Sequence, residues 1–315
     1  MKILITGAAG NLGSQVARHF ATAGHQLWLL VHTKPLPFDA SALPNVTVCP
    51  ADLGNPATLH AICEGVDCVI HLAGVLFAPR PARFLPLTNV GYVQNLLAAA
   101  QEGWVRKFVL VSFPHVEGET TPDRPACGVL QSKTDVIHFR TRLEAEKLVL
   151  QAGAGGGLLP VVFRAGVVYG KGIKLVEGAK WLLRHRLMAT WRRPTWVHLI
   201  ALPDFLAALQ AAVENEDASG IYQVADDAPL TLQAFLDRLA AHYGYAPPWR
   251  LPGWMFFAAA WSCEAFALFF RTPAPLNRDI IRAGMTSSVA DTSRMKQDLL
   301  ARLAYPTLDE GLKLL

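Results

Sequence analysis

Residues Thr6-Gly7-Ala8-Ala9-Gly10-Asn11-Leu12-Gly13 follow an apolar run, Ile3-Leu4-Ile5, and lead into a helical stretch from Leu12 to Ala23. Each glycine answers a geometric need at a strand-to-helix junction. Gly7 permits the tight turn, Gly10 lets backbone amides approach a phosphate, and Gly13 allows the helix to sit close on the sheet. A glycine cradle at the N-terminus of a helix is a site for the pyrophosphate of a dinucleotide.

Working outward, short apolar runs alternate with helical stretches every 20 to 30 residues or so, the pattern of βαβ units and a parallel sheet. Strands are expected at Lys2 to Thr6, Gln26 to His32, Val46 to Cys49, Cys68 to Leu72, Lys107 to Ser112 and Val161 to Arg164. Helices are expected at Thr88 to Gln101 and Asp135 to Gln151, the latter stopping in the run Gly153-Ala154-Gly155-Gly156-Gly157. After Gly170 the alternation loosens into a helix near Leu175 to Arg186, strands at Trp196 to Leu199 and Ile221 to Val224, and a mainly helical remainder from Leu230. The fold expected is a doubly wound α/β parallel sheet of Rossmann type with a smaller, mainly helical substrate lobe. Residues 1–165 and 195–225 would form the dinucleotide-binding domain, and 166–194 and 226–315 the lobe.

With 52% hydrophobic and 17% charged residues in 315, the chain cannot be a disordered, solvating one. Its net charge of +4 is scattered, too thin a footprint for nucleic acid. Five cysteines, odd in number and without a CxxC pair, indicate neither a disulfide framework nor a metal site. The N-terminus runs directly into the first strand without a signal-peptide pattern, so a reducing, cytoplasmic location is expected.

Beyond the glycine loop, Asp52-Leu53 follows the third strand, His71-Leu72-Ala73-Gly74 ends the fourth, and Phe108-Val109-Leu110-Val111-Ser112 closes the fifth. Leu143-Glu144-Ala145-Glu146-Lys147, Arg164-Ala165-Gly166-Val167-Val168-Tyr169-Gly170 and Pro306-Thr307-Leu308-Asp309-Glu310-Gly311-Leu312 follow in order. In these features, over nearly its whole length, the chain resembles the extended short-chain dehydrogenase/reductase superfamily, of the NAD-dependent epimerase/dehydratase type. The resemblance implies that Gly7, Gly10, Asn11, Leu12 and Gly13 wrap the pyrophosphate. It implies further that Asp52 and Leu53 meet the adenine and that Ala73 and Gly74 line the cofactor near the ribose. After the second strand stands Val31-His32-Thr33-Lys34, with no acid before Asp39. A carboxylate there would select NAD, whereas basic residues suit a 2′-phosphate, so NADP is expected over NAD, held by His32, Thr33 and Lys34.

The resemblance also implies a tyrosine with a lysine four residues later, and this chain departs from it. None of its six tyrosines has lysine four residues on. The stretch His138-Phe139-Arg140-Thr141-Arg142 places His138 at the tyrosine position and Arg142 at the lysine position. Arg142 can still bond ribose hydroxyls and would disfavour protonation of His138. An imidazole is a competent general acid or base. His115 is a second proton-relay candidate. Ser112 would polarise the substrate oxygen, although Pro114 stands where a further hydroxyl is usual. Three functions remain open: an NAD(P)-dependent oxidoreductase with a substituted dyad, a non-catalytic NADP-binding sensor or assembly protein, and a nucleotide-sugar epimerase or dehydratase. The last would need arginines for the diphosphate, with Arg80, Arg83, Arg192 and Arg193 as candidates.

Residues 251–270 contain one charge, Glu264. The segment is similar to the branch of 3β-hydroxysteroid dehydrogenases and dihydroflavonol reductases, which implies a hydrophobic carbonyl or alcohol as small-molecule substrate. Phe113, Val167, Tyr169, Trp191 and Trp254 are candidate wall residues. The apolar helix would cover a substrate pocket or a second subunit of a homodimer, or make peripheral contact with a membrane.

Overall fold

The computed structural model describes residues 1–74, 80–272, 274 and 276–315. Among them, seven strands form one parallel sheet: β1 (Lys2–Thr6), β2 (Gln26–Val31), β3 (Val46–Pro50), β4 (Cys68–His71), β5 (Lys107–Ser112), β6 (Leu159–Ala165) and β7 (Gly220–Val224). Their order is β7-β6-β5-β4-β1-β2-β3. Successive residues of a strand face opposite sides, and here both sides are apolar. Ile3, Ile5, Val109 and Phe163 join one core, while Leu4, Phe108, Leu110 and Val162 join the other. Helices Asn11–Thr22 and Leu202–Glu214 cover the first face through Val16, Phe20, Phe205 and Leu209. Helices Tyr92–Glu102 and Ile137–Ala154 cover the second through Val93, Leu96, Ala145 and Val149.

The sheet and its helices match the sequence expectation closely, and the differences have local causes. The helix expected from Thr88 begins as a π-helical turn, Pro86–Gly91, before the regular segment. Such turns often accompany functional positions, and this one carries the buried Asn89. The strand expected at Trp196 to Leu199 is two short strands, Trp196–Val197 and Leu199–Ala201. His198 separates them: its ring bonds the Asp226 carbonyl at 2.8 Å and accepts from the Ala290 amide at 3.1 Å. The first short strand pairs antiparallel with Leu230–Thr231, the second parallel with Val167–Tyr169.

The remaining chain forms the smaller, helical part. Helix Lys174–Arg184 leads to the strand Ala189–Trp191, which pairs parallel with Trp249–Leu251. Leu232–His242, Gly253–Phe270, Arg278–Met285 and Ser293–Asp298 are helical. Helix Gly253–Phe270 is exposed along nearly all its length, with only Ala260 and Ala267 buried.

Candidate active site

Strand β1 lies between β4 and β2, and the chain leaves it in one direction to β2 and β3 before returning to β4 on the other side. A crevice opens at the carboxyl ends of the strands where the order reverses, the place at which doubly wound sheets bind ligands. The glycine loop meets the β4 loop there. Gly7 has φ +76°, and a Cβ on it would lie 2.7 Å from the Ala73 nitrogen. A Cβ on Gly13 would fall 2.1 Å from the Gly7 carbonyl oxygen. Backbone thus fills the space of both side chains, and helix Asn11–Thr22 points its N-terminus into the crevice. The Asn11 side chain is engaged elsewhere: it donates to the Gly172 carbonyl at 2.6 Å and accepts from the Lys174 amide at 2.8 Å, tying the loop to helix Lys174–Arg184.

Beside this loop is a cavity of about 190 Å³, lined by Gly7, His32, Thr33, Lys34, Asp52 and Leu53 together with Ala73 and Tyr92. Seven positions named from separate parts of the sequence therefore converge on one pocket. Tyr92 is an addition, invisible in sequence because it is one of several apolar residues on its helix. The Asp52 carboxylate accepts from the Gly54 amide at 2.8 Å and stands 3.7 Å from the ring of His32. His32, Thr33 and Lys34 are exposed at the rim. The chain's own groups fit a dinucleotide here: a cradle that any Cβ would obstruct, a helix N-terminus and a cationic rim.

Deeper in the crevice, Arg142 and Asn89 meet Gly74. A Cβ on Gly74 would lie 2.5 Å from Nη2 of Arg142 and 3.8 Å from Oδ1 of Asn89. Asn89 donates to Thr141 Oγ at 2.9 Å, and among the described residues its buried Oδ1 has no partner, nor has the Nε of Arg142. Burial pulls the Arg142 guanidinium down to about 10, and Glu146 partly offsets this. The group stays cationic at neutral pH. Thr6 and His71 support the loop from beneath, bonded at 2.8 Å. Burial, reinforced by Arg142, drives His71 down to about 3.

His138 stands one helical turn before Arg142, on the same face. Its ring is buried and stacks on Phe113 at 5.0 Å between centroids, and neither ring nitrogen has a partner among the described residues. Burial, then Arg142, then His115 press its pKa down to about 4. Burial likewise takes His115 to about 4. The direction agrees with an Arg142 that disfavours protonation of His138. His138 is a neutral ring, able to offer an N–H to a carbonyl oxygen or to accept the proton of an alcohol, but holding no stored proton at pH 7.

Ser112 is engaged with a buried carboxylate. Its hydroxyl donates to the carboxylate of Glu146, which Arg164 grips through Nε at 3.1 Å and Nη2 at 2.6 Å. Arg164 also binds Glu117, to which Gln223 donates at 2.9 Å. The Ser112 proton is thus directed into this buried network.

The candidate wall residues also divide. Phe113 lies against His138. Tyr169 is core: it is fully buried, and a Cβ on Gly311 would collide with its ring. Trp191 is buried, its indole N–H on Thr195 at 2.6 Å and its edge against Phe256. Trp254 is exposed on the apolar helix. Of the arginines considered for a diphosphate, Arg193 is held by Glu119 at 2.7 Å.

A doubly wound sheet with a glycine cradle at its switch point defines a dinucleotide-binding protein of Rossmann type. The chain belongs to the NAD dependent epimerase/dehydratase family, whose model matches residues 3–193, and is an oxidoreductase of that family. It is 28% identical over 262 residues to a 2-alkyl-3-oxoalkanoate reductase of Stenotrophomonas maltophilia, covering 78% of this chain and 76% of the relative. It is 24% identical over 304 residues to a 3 beta-hydroxysteroid dehydrogenase/Delta 5-->4-isomerase of Mycobacterium tuberculosis, covering 87% and 78%. The fold is shared with a UDP-glucose 4-epimerase of Thermus thermophilus solved with NAD, at TM-score 0.75 and 19% identity, over 100% of this chain and 97% of that one.

Proposed function

We propose that this oxidoreductase uses NADP in preference to NAD and acts on a hydrophobic carbonyl or alcohol, with His138 meeting the substrate oxygen and Arg142 holding the nicotinamide ribose. One observation carries the reading. Among the described residues, a buried imidazole with two unpartnered nitrogens stands one helical turn from a buried guanidinium that touches the cofactor loop at Gly74. A buried polar group without a partner costs about 1–3 kcal/mol, and a substrate oxygen at His138 would remove that cost.

The nicotinamide, when bound, supplies or accepts the hydride. The chain's part is orientation and polarisation: Arg142 and Asn89 fix the ribose, and the neutral His138 N–H polarises a carbonyl in the reducing direction. Phe113 and Phe139 around His138 exclude water and favour an apolar substrate. Relatives named as an oxoalkanoate reductase and a hydroxysteroid dehydrogenase support that substrate class. Lys34 and His32, with no carboxylate following β2, support NADP. Residues 1–165 and 195–225 would bind the cofactor, with 166–194 and 226–315 supplying the rest of the pocket.

The test is oxidation of NADPH against a panel of β-keto acids, long-chain ketones and steroid ketones, with His138→Ala beside the parent chain. Turnover lost in His138→Ala with NADPH affinity retained supports the reading. Tight NADPH binding with no turnover across the panel would replace it with a cofactor-sensing role.

A further inference from the structure

Helix Gly253–Phe270 is long and apolar enough to cross a membrane by length and composition, yet it is tied down at both ends. Its N-terminus continues from the strand Trp249–Leu251, paired with Ala189–Trp191. Beyond its C-terminus the chain doubles back. Arg278 reaches Glu264 through its side chain at 2.8 Å and through its amide at 2.7 Å. Pushing the helix through a bilayer would carry that ion pair and the helix Arg278–Met285 into hydrocarbon, where charges are costly. The helix is therefore built to lie along a surface.

What it presents is apolar and uncovered. Leu268 and Phe269 are 82% and 81% exposed, and Trp254 and Trp261 are 69% and 61% exposed, whereas Ala260 and Ala267 are buried. Leu187 and Trp249 extend the apolar surface beside its first turn, where the Trp249 indole bonds the Arg186 carbonyl. Cations stand at its border. Arg186 and Arg192 flank the strand Ala189–Trp191, which pairs with the strand entering the helix, and Arg271 follows its last residue, all three exposed and without an ion pair among the described residues. The nearby acids are engaged, Glu264 by Arg278 and Asp279 by the Ile137 amide. An apolar helix with tryptophans and a cationic border complements an anionic lipid surface. A second copy of the chain would bring the same cations together.

We propose that helix Gly253–Phe270 docks this protein on an anionic bilayer, lying in the plane of the interface with Leu268, Phe269 and the two tryptophans among the acyl chains. The docked face lies one helix from the catalytic candidate: Arg278–Met285 packs on it, and Asp279 accepts from the first amide of the helix that carries His138. A lipid-dissolved carbonyl compound would then reach His138 from the bilayer side. That last step rests on the proposed function, whereas the docking does not.

The 315-residue chain, without cofactor or substrate, is floated with vesicles of phosphatidylcholine and with vesicles also containing phosphatidylglycerol. The expected result is flotation with the anionic vesicles, weakened by salt. Leu268→Glu/Phe269→Glu, at exposed positions, should weaken binding by about ten-fold or more with the circular dichroism unchanged. Arg192→Glu/Arg271→Glu should weaken it while leaving the apolar face intact. No flotation by the parent chain, or equal flotation of the Leu268→Glu/Phe269→Glu variant, overturns the proposal. So does a parent dimer that this double substitution splits while vesicles capture neither form. Because no turnover is read, loss of the oxidoreductase reading would leave this result standing.

Discussion

The guanidinium of Arg142 occupies the space a side chain on Gly74 would need, with Nη2 2.5 Å from where that Cβ would stand. The contact joins helix Ile137–Ala154 to the loop after β4, two segments far apart in sequence. Gly74→Ala should therefore displace the guanidinium and weaken NADPH binding by about ten-fold, the equivalent of one charged hydrogen bond. Fluorescence titration of NADPH checks this. Arg142→Lys should lose less than Arg142→Met, since a lysine keeps the charge.

Cofactor choice turns on Lys34. Lys34→Glu should lower NADPH affinity about ten-fold or more and leave NADH affinity nearly unchanged, because the added carboxylate repels a 2′-phosphate but can accept from ribose hydroxyls. Equal loss for both cofactors would place Lys34 outside phosphate recognition.

Ser112 and Arg164 should report on folding before chemistry. Ser112→Ala removes one bond to Glu146 while Arg164 still grips that carboxylate, so a stability loss of about 1 kcal/mol with NADPH affinity intact is expected. Arg164→Met leaves Glu117 and Glu146 without their shared partner, and the loss should reach about 3–5 kcal/mol. Urea unfolding of both variants measures the difference.

Stability should peak at about pH 7, where the protons that the unfolded chain places on four histidines fall to balance the one that the fold keeps on Asp226. His71 at about 3, and His115, His138 and His198 at about 4, are neutral in the fold, with burial the leading cause for each. As pH falls from 6.5 toward 4, the unfolded chain takes up protons that the fold refuses, and each such histidine costs about 1.4 kcal/mol per pH unit. Asp226 acts in the opposite sense. Burial raises its carboxyl to about 8, so the fold holds a proton there that the unfolded chain has released, and stability falls as pH rises toward 8. Below about pH 7 the four histidines outnumber the one aspartate, so the acid limb dominates there. Asp226→Asn should flatten the alkaline limb, and His138→Phe should shallow the acid one, both read as urea midpoints against pH.

The spacing of apolar runs made the parallel sheet legible, because its central strands are buried on both faces and carry their pattern locally. The glycine spacing made the cradle legible for the same reason: Gly7, Gly10 and Gly13 act through backbone geometry within eight residues. Asn89 and Tyr92 were harder to assign, since a π-turn and a pocket wall look like ordinary helix in the linear chain. The strand break at His198 was hidden because its partners, Asp226 and Ala290, are distant in sequence.

The sequence by itself determined the family and the glycine cradle, both properties of local order along the chain. Tertiary structure decided where the proton of Ser112 goes, how far burial lowers His138, which glycine makes room for Arg142, and that the helix Gly253–Phe270 faces outward. The physical reason is common to all four. Desolvation, hydrogen-bond allocation and exposure depend on which distant residues are brought together, and such contacts exist only once the chain has folded.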